Sequence, residues 1–300
     1  MKIWTRWVIL VLGLIISVTI LYNNIYVKNA FVYVLNIQRR VIVGKDSWLF
    51  YDDGLKSVIC PPKKINISNI VHTANFLKSH DLRLLVVPIP DKEMFYNNKI
   101  VHSEPDESSV FANYLRFIRK LKENQVDVCN VYEVLNKGNS SGKVLYFKND
   151  SHWNSEAIVV VSDAVVNQFL KNNIDTNCQN YKLVDTTGTF YPDLLKLLKG
   201  QEIPETYHGK KLLENTIPCN TADSGIVVFG DSFVEACTSI NGRFGEIMSY
   251  KLQKPVKTVY KLGAGYKGYK YLNNYRKVCG PETKLIIWVF VFRSQLNRPD

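Results

Sequence analysis

Four short apolar runs, continuous where a half-wet strand would alternate, most narrow what this chain can fold into: residues 83–88 (RLLVVP), 126–131, 225–229 and 285–290. A strand covered on both faces has no polar side to show, so such runs belong to sheets buried between layers. Between them lie amphipathic stretches over residues 67–79, 110–124, 155–171 and 244–252. This alternation predicts an α/β fold, a mainly parallel sheet with helices on both sides. Residues 44–51 read as a turn leading into a strand, and residues 172–223, rich in polar and turn residues, as an irregular insertion. With 300 residues and 46% apolar content, one large core is the expectation.

The N-terminus bears on the compartment. No charged residue occurs over residues 7–27, and as a helix that segment is long enough for roughly 30 Å of hydrocarbon. A cleaved signal peptide is the competing reading, but bulky Ile20, Leu21 and Tyr22 stand where a small-x-small cleavage pattern would be needed. Residues 1–28 therefore read as a single-pass signal-anchor, 29–40 as a linker and 41–300 as the catalytic domain. Lys2 and Arg6 precede the span, which puts the short N-terminus in the cytoplasm and the domain outside, while Lys28, Arg39 and Arg40 oppose that bias.

Export agrees with six cysteines, Cys60, Cys129, Cys178, Cys219, Cys237 and Cys279, an even count that an oxidising space can pair. No C-x-x-C or H-E-x-x-H occurs and the five histidines are scattered, so no metal site and no soluble cofactor is expected. The formal net charge of +11 is spread along the chain, with one denser stretch over residues 257–277 where lysines interleave with tyrosines. In an exported protein that stretch reads first as a solvated face, then as a polysaccharide contact, and nucleic acid is not expected as a partner.

Two motifs carry chemistry. Asp150-Ser151-His152-Trp153 comes first and Gly230-Asp231-Ser232-Phe233 later. A hydroxyl is a poor nucleophile until a base takes its proton, and the base needs an acceptor to orient it. Ser232, His152 and Asp150 are the candidates for those three roles. The run at 225–229 ends at Gly230, which places Ser232 where a buried strand turns into a helix, at the carboxyl edge of the sheet. Either motif alone also fits an ordinary turn or capping loop; together, in this fold, they point to a serine-nucleophile enzyme.

The GDSF segment after a buried strand, the Asp-x-His-Trp before it and the opening Gly44-Lys45-Asp46-Ser47-Trp48-Leu49-Phe50 resemble the SGNH-hydrolase-like domain of the alginate O-acetylation proteins AlgJ and AlgX. Ordinary SGNH hydrolases carry the histidine block after the nucleophile, whereas this family carries it before, as here. Supporting matches are the segment from Val86 through Pro88, Asp91, Lys92 and Glu93, the later Gly263-Ala264-Gly265, and a closing strand with Trp288 and Arg293. The similarity covers about residues 41–293. It implies a flavodoxin-like three-layer α/β/α fold, a membrane-anchored periplasmic domain, and acetyl transfer to an exported polysaccharide. Carried over, Ser232 is the nucleophile, His152 the base and Asp150 its orienting acceptor. The oxyanion would be held by the Ser232 amide and by the loop before Gly263, where Lys261 matches a basic family position.

Three further residues have a functional and a structural reading. Lys92 is a substrate contact or a surface lysine following a strand; Arg293 is a substrate contact or half of an ion pair; Trp153 reads as packing that sets the histidine loop, ahead of a sugar platform. Cytoplasmic acetyl-CoA does not reach an exported site, so a multi-pass membrane O-acyltransferase is the expected donor partner and no cofactor is expected on this chain. Two rivals remain at this point: a polysaccharide acetyl esterase, and a non-catalytic anchored carbohydrate-binding or assembly protein.

Overall fold

A computed structural model describes residues 40–59, 65–100, 107–175, 181–214 and 225–296. Strands β1 (Val41–Val43) and β2 (Leu49–Tyr51) pair antiparallel around a turn in which Asp46 and Ser47 take left-handed backbone. Then come α1 (Asp52–Ile59), α2 (Ser68–Lys78), β3 (Arg83–Ile89), α3 (Lys92–Phe95), α4 (Glu107–Glu123), β4 (Asp127–Val128), α5 (Val131–Ser140) and α6 (Ser155–Val165). After these follow β5 (Tyr181–Phe190), α7 (Asp193–Lys199), β6 (Glu205–Glu214), β7 (Ile226–Gly230), α8 (Ser232–Glu235) and α9 (Phe244–Leu252). The last elements are β8 (Lys257–Tyr260), α10 (Tyr269–Leu272), β9 (Leu285–Val291) and α11 (Arg293–Leu296).

Five strands form the central sheet in the order β4-β3-β9-β7-β8, every neighbouring pair parallel. All seven residues of β9 are buried, and since alternate side chains point to opposite faces, both faces must be covered. The covering layers follow from helix contacts: α6 packs on both α5 and α9, and α2 packs on α10. Numbered cyclically from β7, the strand order is the 2-1-3-4-5 of flavodoxin-like sheets. That rotation explains the order of the motifs. The loop after the far edge strand β4 precedes β7, the strand that leads to Ser232, yet lies on the same carboxyl edge of the sheet.

The insertion differs from expectation. Within residues 172–223, β5 and β6 form a ten-pair antiparallel hairpin from Tyr181↔Glu214 to Phe190↔Glu205, with α7 at its tip. Its strands are largely exposed, so they lack the burial pattern that marks a strand in sequence, and cross-strand pairing decides them instead. A small apolar cluster of Val41, Leu49 and Leu194 seats α7 on the β1–β2 pair. The Lys/Tyr stretch is likewise not one helix face: it divides into the edge strand β8, tight turns and α10, with Tyr266 buried.

Among the described residues no helix is long and apolar enough to cross a membrane. The anchor expected over residues 1–28, and the linker up to residue 39, lie outside them. So do Cys60, Cys178 and Cys219, while Cys129, Cys237 and Cys279 form no disulfide.

Candidate active site

The chain leaves β7 through Gly230, where a Cβ would stand 2.3 Å from the Val289 carbonyl oxygen and from Val234. Only glycine lets the two strand ends approach that closely. Asp231 then caps α8: its carboxylate accepts the Phe233 amide at 3.0 Å and the Val291 amide at 3.3 Å. Burial pushes the Asp231 carboxyl up, against the pull of those two amides. Ser232 is the first residue of α8, so its amide is one of those a helix start leaves without an intrahelical partner.

His152 comes from the loop before α6. Asn154 caps that helix by accepting the Ala157 amide, and an isolated bridge pairs Tyr146 with Trp153. The fully buried Trp153 indole donates to the Phe233 carbonyl at 2.8 Å, which ties the histidine loop directly to the serine's helix. Trp153 is therefore packing, not a sugar platform. The result is an unbroken line in which His152 Nε2 lies 2.8 Å from Ser232 Oγ and Nδ1 lies 2.7 Å from Asp150 Oδ1. Asp150 Oδ1 also accepts the His152 amide at 2.8 Å. Burial pulls the imidazole pKa down, but the charge and hydrogen bond of Asp150 outweigh it and hold it at about 9. Burial pushes the Asp150 carboxyl up, and its contacts with His152 outweigh that and hold it down at about 2.

A second carboxylate, which sequence reading missed, completes the loop. Asp193 Oδ1 and Oδ2 accept the Ser151 amide and hydroxyl at 2.7 and 2.6 Å, and the Asp193 amide donates to Asp150 Oδ2 at 2.7 Å. Asp193 Oδ2 stands 3.8 Å from His152 Nδ1. Burial and then the Asp150 charge push the Asp193 carboxyl up. Pro192-Asp193 is a visible helix start in sequence; what it does not reveal is that this helix lands on Asp150. Ligand atoms of Asp150, His152 and Asp193 lie within 4.8 Å of one another. The direct 2.7 Å bond between Asp150 and His152 leaves no room for an ion between those two.

The other expected site residues lie around this line without lining its cavity. Lys92 is buried, and its Nζ donates to the carbonyls of Leu49, Lys148 and Asp150 at 2.7, 2.7 and 3.0 Å, so all three protons are used. It braces the Asp150 loop from behind in place of meeting substrate. Arg293 donates to buried Asp91 at 2.6 Å and lies over the Phe233 ring at 5.6 Å, so it is half of an ion pair beneath the helix that Ser232 begins. The Lys261 amide donates to the Gly230 carbonyl at 2.9 Å, which brings its loop beside the serine's turn. The Lys261 side chain is exposed. Gly263 has left-handed backbone, φ +68°, and neither residue lines the cavity.

That cavity, about 450 Å³, contains Asp150, His152 and Ser232 and is walled by Phe147, the hairpin residues Thr189, Phe190, Tyr191 and Tyr207, and the segment from Glu235 to Ser239. A larger groove of about 910 Å³ runs along the exposed edge at β4 between α5 and α6. It holds none of the residues in the hydrogen-bonded line, which opens into the smaller one.

A family model described as the SGNH hydrolase-like domain of the acetyltransferase AlgX matches residues 41–291. Among solved structures, the chain is similar to the O-acetyltransferase domain of Pseudomonas putida AlgJ, with 17% identity over 87% of this chain and 94% of that one and a TM-score of 0.64. It is similar also to Pseudomonas aeruginosa AlgX, with 16% identity, 84% of this chain and 61% of that one covered, and a TM-score of 0.58. At these identities the structural likeness speaks for the fold. No curated protein matches the sequence.

Proposed function

The chain belongs to the SGNH hydrolase-like acetyltransferase family of AlgX, and from that membership we propose that it carries an acetyl group through an acetyl-serine at Ser232 onto hydroxyls of an exported polysaccharide. The observation that carries this reading is the line from Ser232 Oγ through both nitrogens of His152 to Asp150, at 2.8 and 2.7 Å. In the first half, neutral His152 takes the Ser232 proton at Nε2 as Oγ attacks the donor's acetyl carbonyl. The oxyanion meets the Ser232 amide at the start of α8. Collapse expels the donor's leaving group, which takes the proton back from Nε2. In the second half, Nε2 takes the proton of a sugar hydroxyl, the sugar oxygen attacks the acetyl-serine, and Ser232 leaves with that proton. Asp150 stays ionised and holds Nδ1–H throughout.

Sequence features support the setting. The uncharged segment over residues 7–27 is the anchor that holds the domain at the outer face of the inner membrane, and a multi-pass membrane O-acyltransferase delivers the acetyl group. A second reading, the acetyl esterase, draws on the 17% exposure of the His152 side chain, because water that reaches Nε2 can compete with a sugar hydroxyl.

The test uses an acetyl ester with a chromophoric leaving group, oligosaccharide acceptors and intact-mass detection. Ser232→Ala and His152→Ala each lower acetyl release by roughly 10³-fold or more, and the wild type places acetyl on the sugar. Acetate release indifferent to the acceptor would favour the esterase. Release that survives Ser232→Ala would end both readings.

A further inference from the structure

The wall of the cavity opposite Ser232 has a composition that the triad chemistry does not require. Phe147, Phe190 and Tyr207 form a cluster with ring centroids 4.5 to 5.3 Å apart, and beyond it Tyr191 is 56% exposed. Tyr191 is not a loose surface ring. It sits between the end of β5 and Pro192-Asp193, and the Asp193 amide is bonded to Asp150, so its backbone is fixed relative to the nucleophile. The rim of the same wall is acidic. Glu235 accepts from Arg243 at 3.2 Å, but Arg243 is shared with Glu246, which leaves two carboxylates to one guanidinium. Among the described residues that line the cavity there is no lysine or arginine.

We propose that this wall is the acceptor subsite and that it takes an uncharged pyranose, the C–H face of the ring lying on Tyr191, in preference to a uronate. The proposal rests on the transferase reading of the same site. A pyranose has an apolar face that a flat aromatic surface matches, and the cavity falls within the roughly 300–1,000 Å³ of small-ligand pockets. A uronate would carry its carboxylate towards Glu235, in a wall that holds no lysine or arginine and whose imidazole, His152, is already paired with Asp150. The +11 net charge of the chain attracts any polyanion weakly and at long range, a contribution that salt screens and that Tyr191 does not control.

Binding to the full chain carrying Ser232→Ala, in which the triad is disabled, tests the subsite apart from the chemistry. Titration calorimetry at about 0.15 M salt compares cellohexaose with hexamannuronate. Cellohexaose binds about tenfold more tightly; Tyr191→Ala removes about tenfold of that affinity and Tyr191→Trp retains it. Glu235→Gln brings hexamannuronate closer to cellohexaose. Hexamannuronate binding equally or better, no binding of either, or cellohexaose affinity indifferent to Tyr191→Ala overturns the proposal. Acetyl release by the wild-type chain is measured separately: without release the transferase reading falls, whereas release accompanied by any of those binding results removes the subsite alone.

Discussion

Asp150 and Asp193 bracket one imidazole, and their charges set the pH at which His152 can accept a proton. A base must be neutral to act, so acetyl release should rise with pH along a limb displaced from the free-imidazole value of about 6.5 towards about 9. Asp193 is one of the charges that raise that value. Asp193→Asn therefore moves the limb to lower pH, while the amide oxygen still accepts from Ser151; a pH–rate profile unchanged by the substitution would refute this coupling. The same pair stabilises the fold most fully below the free-imidazole value, and the contribution is lost as pH rises through about 9. Lys92 acts behind this pair. Burial pulls its pKa down to about 7, yet three carbonyls within 3.0 Å need three protons, which only the ammonium has. Lys92→Met should cost roughly 2–4 kcal/mol of stability and loosen the Asp150 loop; a denaturation midpoint equal to wild type would contradict that.

The β5–β6 hairpin is the element that joins fold to site, since it carries Asp193, Tyr191 and Tyr207. It is seated on the turn after α8, where a Cβ on Gly188 would lie 2.3 Å from Ile240 Cγ2 and 3.0 Å from the Tyr207 ring. Gly188→Val should lift the hairpin from that seat, cost roughly 1–3 kcal/mol and lower acetyl release, because Asp193 moves with it. Thermal unfolding and the chromogenic assay read the two effects, and a destabilised variant that stays fully active would show that the hairpin does not position the site. The buried strands β3, β7 and β9 were legible as apolar runs because two-sided burial leaves a local signature. The hairpin and the edge strand β8 were not, because exposed strands are chosen by their partners.

At the scale of the whole molecule, cyclic strand order brings a loop from before the sheet's second half onto the edge where β3, β7 and β9 end. The proposed anchor holds the domain at the membrane: the full chain should sediment with membranes after a carbonate wash, and a chain lacking residues 1–39 should stay in the supernatant. Recovery of the full chain in the supernatant would count against the anchor. What residue order alone determined here is local: apolar runs that must be buried, a Gly-Asp-Ser turn, an aspartate two positions before a histidine, an uncharged N-terminal stretch. Each is a short-range pattern that burial or backbone geometry stamps on neighbouring residues. Only the tertiary structure decided that His152 meets Ser232 across 80 positions, that Asp193 reaches Asp150 across 43 and that Arg293 pairs with Asp91 across 202. It also turned Lys92 from a candidate contact into a brace. Charges in a buried cluster take their roles from whichever partners strand order and hairpin pairing bring within about 3 Å, and no stretch of neighbouring residues encodes that distance.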